Sequence, residues 1–112
     1  MNFEISHKKQ YALVISKVEK LDINASSESK SEFVSLNKTG INSIVLDLSN
    51  TAYCDSSGLS SILVGNRLCK DSSGKFVLVG MNAKIQKLIE ISQLDKILNI
   101  TESEEKAIEF FN

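Results

Sequence analysis

Two short apolar runs constrain the fold of this chain more than any other feature of its sequence. They are SIVLDLS at residues 43–49 and KFVLVG at residues 75–80, and both are nearly continuous. Such runs are typical of strands that are buried on both faces of a parallel sheet. Each is followed by a stretch in which apolar residues recur at helical spacing, as at Leu59, Ile62 and Leu63 after the first run. The sequence therefore predicts consecutive β-α units, that is, an α/β fold with a mainly parallel sheet.

The amino-terminal part of the chain indicates two strands and a helix before the first of these runs. Apolar residues alternate at period two at Phe3 and Ile5 and again at residues 11–15, which predicts two successive strands or a hairpin. The segment that follows is rich in residues that cap helices, and Gly40 fits a helix C-terminus. We therefore expect a helix at residues 25–38.

The carboxyl-terminal part continues the alternation of strands and helices. Asn82 is a candidate N-cap for the helix after the second apolar run. The run ILNI at residues 97–100 predicts a short strand, and Thr101 and Glu104 have the spacing of a capping box at the start of a last helix. The expected order is β-β-α-β-α-β-α-β-α, within a single domain that spans residues 1–112.

Composition and charge argue against several classes of function. The formal net charge of −1 gives no electrostatic case for binding to nucleic acid or to an anionic membrane. Arg67 is the only arginine, which weakens the case for bidentate phosphate recognition. The first residues lack the apolar segment of a secretory signal, and no apolar run approaches the roughly 20 residues that span a bilayer. We therefore expect a cytoplasmic protein in which Cys54 and Cys69 are reduced core thiols.

The tetrapeptide DSSG occurs twice, at residues 55–58 and 71–74, in two different contexts. The second copy lies where a helix must end and a strand must begin, and Gly74 can adopt the left-handed conformation that ends a helix. We expect this copy to be a turn without chemistry. The first copy opens a helix, where Asp55 or Ser56 can accept a hydrogen bond from a free N–H group of the first turn.

The first copy also lies where α/β proteins gather their sites. Loops that leave the carboxyl ends of parallel strands meet at one edge of the sheet, so LDIN at residues 21–24 should reach the same edge. A helix N-terminus offers free N–H groups and the positive end of its dipole, which together favour a phosphate. This is therefore a place for a phosphoserine. The alternative is that the Asp and Ser residues only cap the helix.

These residues resemble a known family. The segment IVLDLSNTAYCDSSGLSSIL at residues 44–63, with LDINA upstream and KFVLVGMNAKIQKLIEISQLDKIL downstream, is similar to STAS domains. The family comprises anti-sigma factor antagonists and related domains of sulphate transporters, and the similarity covers nearly the whole chain. It implies consecutive β-α units with mostly parallel strands. In the antagonist branch, it implies that Ser56 is phosphorylated by a partner serine kinase that is also the anti-sigma factor.

The same resemblance implies how the switch works and where the partner binds. The unphosphorylated form binds the kinase and frees the sigma factor, and the phosphorylated form lets go until a serine phosphatase restores it. Two departures from the family pattern, one near Glu19 or Lys20 and one at Ser60, concern the partner more than the fold. The residues that the resemblance assigns to the partner-binding surface are Asp22, Asn24, Asp55, Ser57, Gly58, Leu59 and Ser60.

A phosphate on Ser56 should act on a partner interface more than on the fold. It would add about −1.5 to −2 charges at neutral pH. The dipole of the helix would partly compensate this charge, and the neighbouring carboxylate of Asp55 would oppose it. We expect Ser56→Asp to weaken partner binding, and Ser56→Ala to keep binding while abolishing the switch.

Two other functions remain open. One is a STAS scaffold that is not phosphorylated, or an accessory subunit of a membrane-transporter complex. The other is a small nucleotide-binding or hydrolytic protein, for which the sequence offers few parts. His7, the only histidine, falls in the expected hairpin turn, and SSGKF at residues 72–76 lacks the remaining positions of a P-loop. With one histidine and no paired cysteines, we expect no metal site, no cofactor and no enzymatic activity.

Overall fold

A five-stranded sheet forms the centre of the fold in a computed structural model, which describes residues 2–111. The strands are β1 (Phe3–His7), β2 (Ala12–Ser16), β3 (Lys20–Leu21), β4 (Ile44–Asp47), β5 (Tyr53–Cys54), β6 (Phe76–Val79) and β7 (Asn99–Thr101). The α-helices are α1 (Ile23–Lys38), α2 (Ser56–Asp71), α3 (Ala83–Ile91) and α4 (Glu104–Ala107), with 3-10 turns at Leu94–Lys96 and Ile108–Phe111.

The strand arrangement confirms the predicted α/β fold. The sheet runs β1-β2-β4-β6-β7, with β1 antiparallel to β2 and the other neighbours parallel. The two apolar runs form its middle, because β4 and β6 pair with each other through contacts such as Ile44 opposite Phe76. Residues 44–46 and 76–79 are at most 1% exposed, as expected for strands covered on both faces.

Helices cover the two faces of the sheet unequally. Because the connections β2-α1-β4, β4-α2-β6 and β6-α3-β7 all step in one direction, right-handed crossovers place α1, α2 and α3 on the same face. The larger core cluster lies there and includes Phe33, Ile62 and Ile85. The other face is covered by α4, whose buried Ala107 packs with Tyr11 and with strand residues of the second cluster.

Close packing between α1 and α2 brings their first turns side by side. Gly65 allows this approach, since a Cβ there would lie 2.5 Å from Phe76 Cε2 and 3.0 Å from Phe33 Cδ2. The rings of Phe33 and Phe76 meet edge to face at 5.5 Å. Ser29 and Ser61 share a buried hydrogen bond of 2.6 Å between the two helices, so the polar atoms at this contact are paired.

Two boundaries differ from those predicted. Helix α1 starts at Ile23 instead of residue 25, because Asp22 caps it and accepts hydrogen bonds from the N–H groups of Asn24 and Ala25. Strand β7 starts two residues later than predicted, because a 3-10 turn precedes it and the Leu98 N–H group donates to the Leu94 carbonyl at 2.9 Å.

One turn assignment and one helix-cap assignment were wrong in detail. The second DSSG copy is a turn, as predicted, but Ser73 and not Gly74 takes the left-handed conformation, with φ of 66°. Gly74 is required for space, since a Cβ would overlap the Asn42 carbonyl. At the last helix, Ser103 replaces Thr101 as the N-cap and accepts from the Lys106 N–H group at 3.3 Å. Thr101 instead ends β7 and pairs with Val79.

Candidate functional site

A small two-stranded ladder joins the two segments that the sequence placed at one edge. Strands β3 and β5 run parallel, with Lys20 opposite Tyr53 and Leu21 opposite Cys54. The Asp55 N–H group extends the ladder by donating to the Leu21 carbonyl at 3.3 Å. This pairing sets the first turns of α1 and α2 next to each other, so LDIN and DSSG reach the same edge, as expected.

An aspartate caps each of the two helices. The carboxylate of Asp22 accepts from the Asn24 N–H group at 3.0 Å, and that of Asp55 accepts from the Gly58 N–H group at 3.0 Å. The sequence left open whether Asp55 or Ser56 caps α2, and the geometry assigns the cap to Asp55. Ser56 is the first residue of the helix and is exposed, so its hydroxyl is not needed as the cap.

The other predicted site residues divide into surface and buried positions. Asn24 and Ser60 are exposed, and Asp22, Asp55 and Ser57 are partly buried. Because Ser60 lies four positions after Ser56 on α2, the two hydroxyls share one face of the helix.

Gly58 lies beneath the surface and serves the packing of the site. A Cβ on this residue would overlap the Leu21 carbonyl and would lie 2.6 Å from Cys54 Sγ. Only glycine lets the first turn of α2 approach β3 so closely. Leu59, which is 9% exposed, also packs inward and contributes to the core.

The thiol of Cys54, beside the site, is buried. Burial, and secondarily the Asp55 carboxylate, raise the pKa of Cys54 to about 12. Burial raises the pKa of Cys69 to about 12 as well. Because the thiolate is the reactive form, pKa values this high keep both thiols in their weakly reactive, protonated form at neutral pH. This agrees with their predicted role as reduced core thiols.

A groove of about 550 Å³ opens beside Ser56, between the start of α2 and helix α3. Leu59 and Leu88 are among the apolar residues that line it, and Lys84 and Lys87 bring two positive charges. The sequence alone did not indicate that α3 belongs to the site. The signal it contains is the recurrence of exposed residues 84, 87 and 91 at helical spacing, beside the partly buried Leu88.

The remaining candidates for chemistry lie apart from Ser56. His7 ends β1 and pairs with Ala12, at the edge of the sheet where β2 begins, whereas Ser56 follows the opposite, carboxyl edge. Within residues 2–111, no group of three or more His, Cys, Asp or Glu side chains is arranged to hold a metal ion. In the same part of the chain, no helix has both the length and the apolar character needed to cross a membrane.

Sequence comparison agrees with this architecture. A family model described as STAS domain matches residues 3–107. A protein of Paenibacillus polymyxa named anti-sigma F factor antagonist is 35% identical over 65 residues. That match covers 58% of this chain and 56% of the relative, so it spans little more than half of either protein.

Solved structures are similar to this chain over a longer span than the sequence relative is. A candidate anti-sigma factor antagonist from Thermotoga maritima superposes with a TM-score of 0.86 at 28% identity, covering 97% of this chain and 93% of the other. The Bacillus cell fate determinant SpoIIAA in its phosphorylated form superposes with a TM-score of 0.75 at 19% identity, covering 98% and 99%. At that identity, the second similarity is one of fold alone.

Proposed function

The chain belongs to the STAS domain family, and from this premise we propose that it is an anti-sigma factor antagonist that acts as a binding module and not as an enzyme. Unphosphorylated, it binds an anti-sigma factor that is also a serine kinase. Phosphorylation of Ser56 releases that partner, and a serine phosphatase restores the binding form. The relatives from Paenibacillus polymyxa and Thermotoga maritima, which carry the antagonist name, support this assignment.

The observation that carries the proposal is that Asp55 caps α2 and Ser56 does not. Asp55 caps α2, which leaves the Ser56 hydroxyl exposed at the first position of the helix. The alternative, in which the Asp and Ser residues only cap the helix, accounts for Asp55 but gives no role to the Ser56 hydroxyl. An exposed hydroxyl at a helix N-terminus is accessible to a kinase, and the phosphate it would receive is favoured there by the dipole.

The same geometry predicts that the phosphate acts on binding and leaves the fold intact. Ser56 is exposed, so a phosphate of about −1.5 to −2 charges stays hydrated in the isolated chain. In a complex that covers Ser56, the charge would lose that water. An unpaired charge inside an interface costs several kcal/mol, and about 1.4 kcal/mol already weakens binding tenfold. Release of the partner follows without any rearrangement of the sheet.

The test is affinity capture from the native host with the wild-type chain, Ser56→Ala and Ser56→Asp as baits, followed by titration of the purified partner. We expect a serine kinase of the anti-sigma type that binds wild type and Ser56→Ala alike and binds Ser56→Asp at least about tenfold more weakly. A scaffold or transporter subunit held equally by all three baits would refute the switch and favour an unphosphorylated accessory role.

The second DSSG copy supplies a matched control. Ser73 is exposed and already adopts the left-handed conformation that aspartate tolerates, so Ser73→Asp adds the same charge at the far end of α2. We expect it to bind like wild type. Incubation of the chain with the kinase and ATP should modify Ser56 and leave Ser72 and Ser73 unmodified, as measured by peptide mass spectrometry.

A further inference from the structure

The groove beside Ser56 combines apolar surface with positive charge. Ile91, which is 70% exposed, and Tyr53, which is 45% exposed, line the groove together with Leu59 and Leu88. Large apolar side chains that are this exposed and line one concave surface are typical of sites that bind another protein. The apolar component alone does not say which partner fits.

The charges in the groove narrow the choice of partner. Lys84 and Lys87 line it, and both ion pairs present in residues 2–111 lie elsewhere, between Lys17 and Glu4 and between Lys106 and Glu102. The groove contains one carboxylate, that of Asp55, and this group already accepts the Gly58 N–H group. The two lysine ammonium groups are therefore available to an incoming anion.

We propose that this groove binds an acidic amphipathic segment of the partner kinase. Apolar side chains of that segment pack between Leu88 and Ile91, and its carboxylates pair with Lys84 and Lys87. The inference rests on the proposed function and adds to it the surface and the chemistry by which the partner is recognised. Amphipathic segments that lay their apolar face into a hydrophobic groove are a common mode of recognition.

The position of Ser56 in the same groove gives the switch a physical basis. A phosphate on Ser56 places about −1.5 to −2 charges among the groove residues. This charge neutralises the lysines and repels the carboxylates of the partner segment, so one modification removes both electrostatic contributions. A partner segment with basic residues would instead be attracted by the phosphate, which is the opposite of release.

The test uses the kinase captured from the native host and compares wild type with Lys84→Glu/Lys87→Glu by isothermal titration. We expect affinity to fall at least about tenfold, because like charges then face each other across the groove. Lys8→Glu/Lys9→Glu is the matched control, since it reverses the same number of exposed lysines in the β1-β2 turn. The milder Lys84→Gln/Lys87→Gln should lose affinity and should also lose the salt dependence of wild-type binding.

A second pair of variants tests the apolar part of the groove. Ile91→Ser should weaken binding, whereas Ile108→Ser, at a less exposed isoleucine in the carboxyl-terminal 3-10 turn, should not. Circular dichroism melting curves establish that each variant is folded. Because Lys84, Lys87 and Ile91 are exposed, we expect their melting temperatures to remain close to wild type.

The outcomes separate this inference from the proposed function. If the kinase binds wild type and phosphorylates Ser56, but the lysine variants bind like wild type or more tightly, the docking inference is overturned and the proposed function stands. If no kinase binds the wild-type chain, both are overturned. Loss of binding in the groove variants alone, with the controls intact, supports the inference.

Discussion

Replacing Gly58 by Ala is expected to destabilise the chain by about 2 kcal/mol, although Ala favours helices. The added methyl group would overlap the Leu21 carbonyl and would lie 2.6 Å from Cys54 Sγ, whereas ordinary contacts lie at 3.4–4 Å. One of these neighbours is backbone, so it cannot rotate away. Such overpacking costs up to about 3 kcal/mol, and the helix preference of Ala returns at most about 1 kcal/mol.

Urea denaturation of Gly58→Ala measures the net effect. A loss of about 2 kcal/mol should lower the unfolding midpoint by roughly 1 M. Ser57→Ala is the control at the neighbouring, partly buried position, and should stay within about 0.5 kcal/mol of wild type. A second readout is the thiol of Cys54, which should react faster with an alkylating reagent in Gly58→Ala, because displacement of β5 opens its surroundings.

A Gly58→Ala chain as stable as wild type would refute this reasoning. It would mean that α2 and β3 move apart without cost, and that the ladder between β3 and β5 does not fix the position of the site. Increased stability would mean that helix propensity outweighs the steric conflict. Either result would also mean that glycine at position 58 is not needed to hold Ser56 beside α1.

Two further predictions concern the cap of α2 and the face of the sheet that α4 covers. Asp55→Ala should cost about 1 kcal/mol in urea denaturation, because it removes the acceptor for the Gly58 N–H group, and Asp55→Asn should retain most of that stability. The pKa of Tyr11 is raised to about 12 by burial, the hydrogen bond to Glu104 and the charge of Glu104. Because folding raises this pKa, the contribution of the tyrosine to stability is complete below the unfolded-state pKa of about 10. That contribution is lost as the pH rises from there through about 12. Stability measured by chemical denaturation should therefore fall less over this window in Tyr11→Phe than in wild type, and equal slopes would refute the assignment.

Much of the fold could be predicted because its signals are local. The two apolar runs became β4 and β6, and Asn82 caps α3 by accepting from the Ile85 N–H group at 2.9 Å. Each signal depends on a few neighbouring residues and on one rule of backbone chemistry. The same holds for α1, which ends at Lys38 and is followed by Gly40 with φ of 96°.

The features that the sequence did not reveal depend on contacts between distant residues. Strands β3 and β5 have two residues each, too few for a period, and they form because residues about 33 positions apart pair with each other. The turn at Gly74 is set by the carbonyl of Asn42, which no local pattern indicates. The groove beside Ser56 likewise exists only because α3 packs next to the start of α2.

A capped helix N-terminus cannot by itself mark the proposed switch, because the chain has two that are built alike. Helices α1 and α2 both have 16 residues, both follow one strand of the same ladder, and both are capped by an aspartate. The helix dipole would favour an anion equally at the N-terminus of α1 and at the N-terminus of α2. The first helical residue is Ile23 in α1 and Ser56 in α2, and Ser56 is the one that lines the groove with Lys84 and Lys87. The proposed site is therefore defined by a hydroxyl beside a cationic, apolar surface, and the paired helix start supplies the rigid frame that holds the two together.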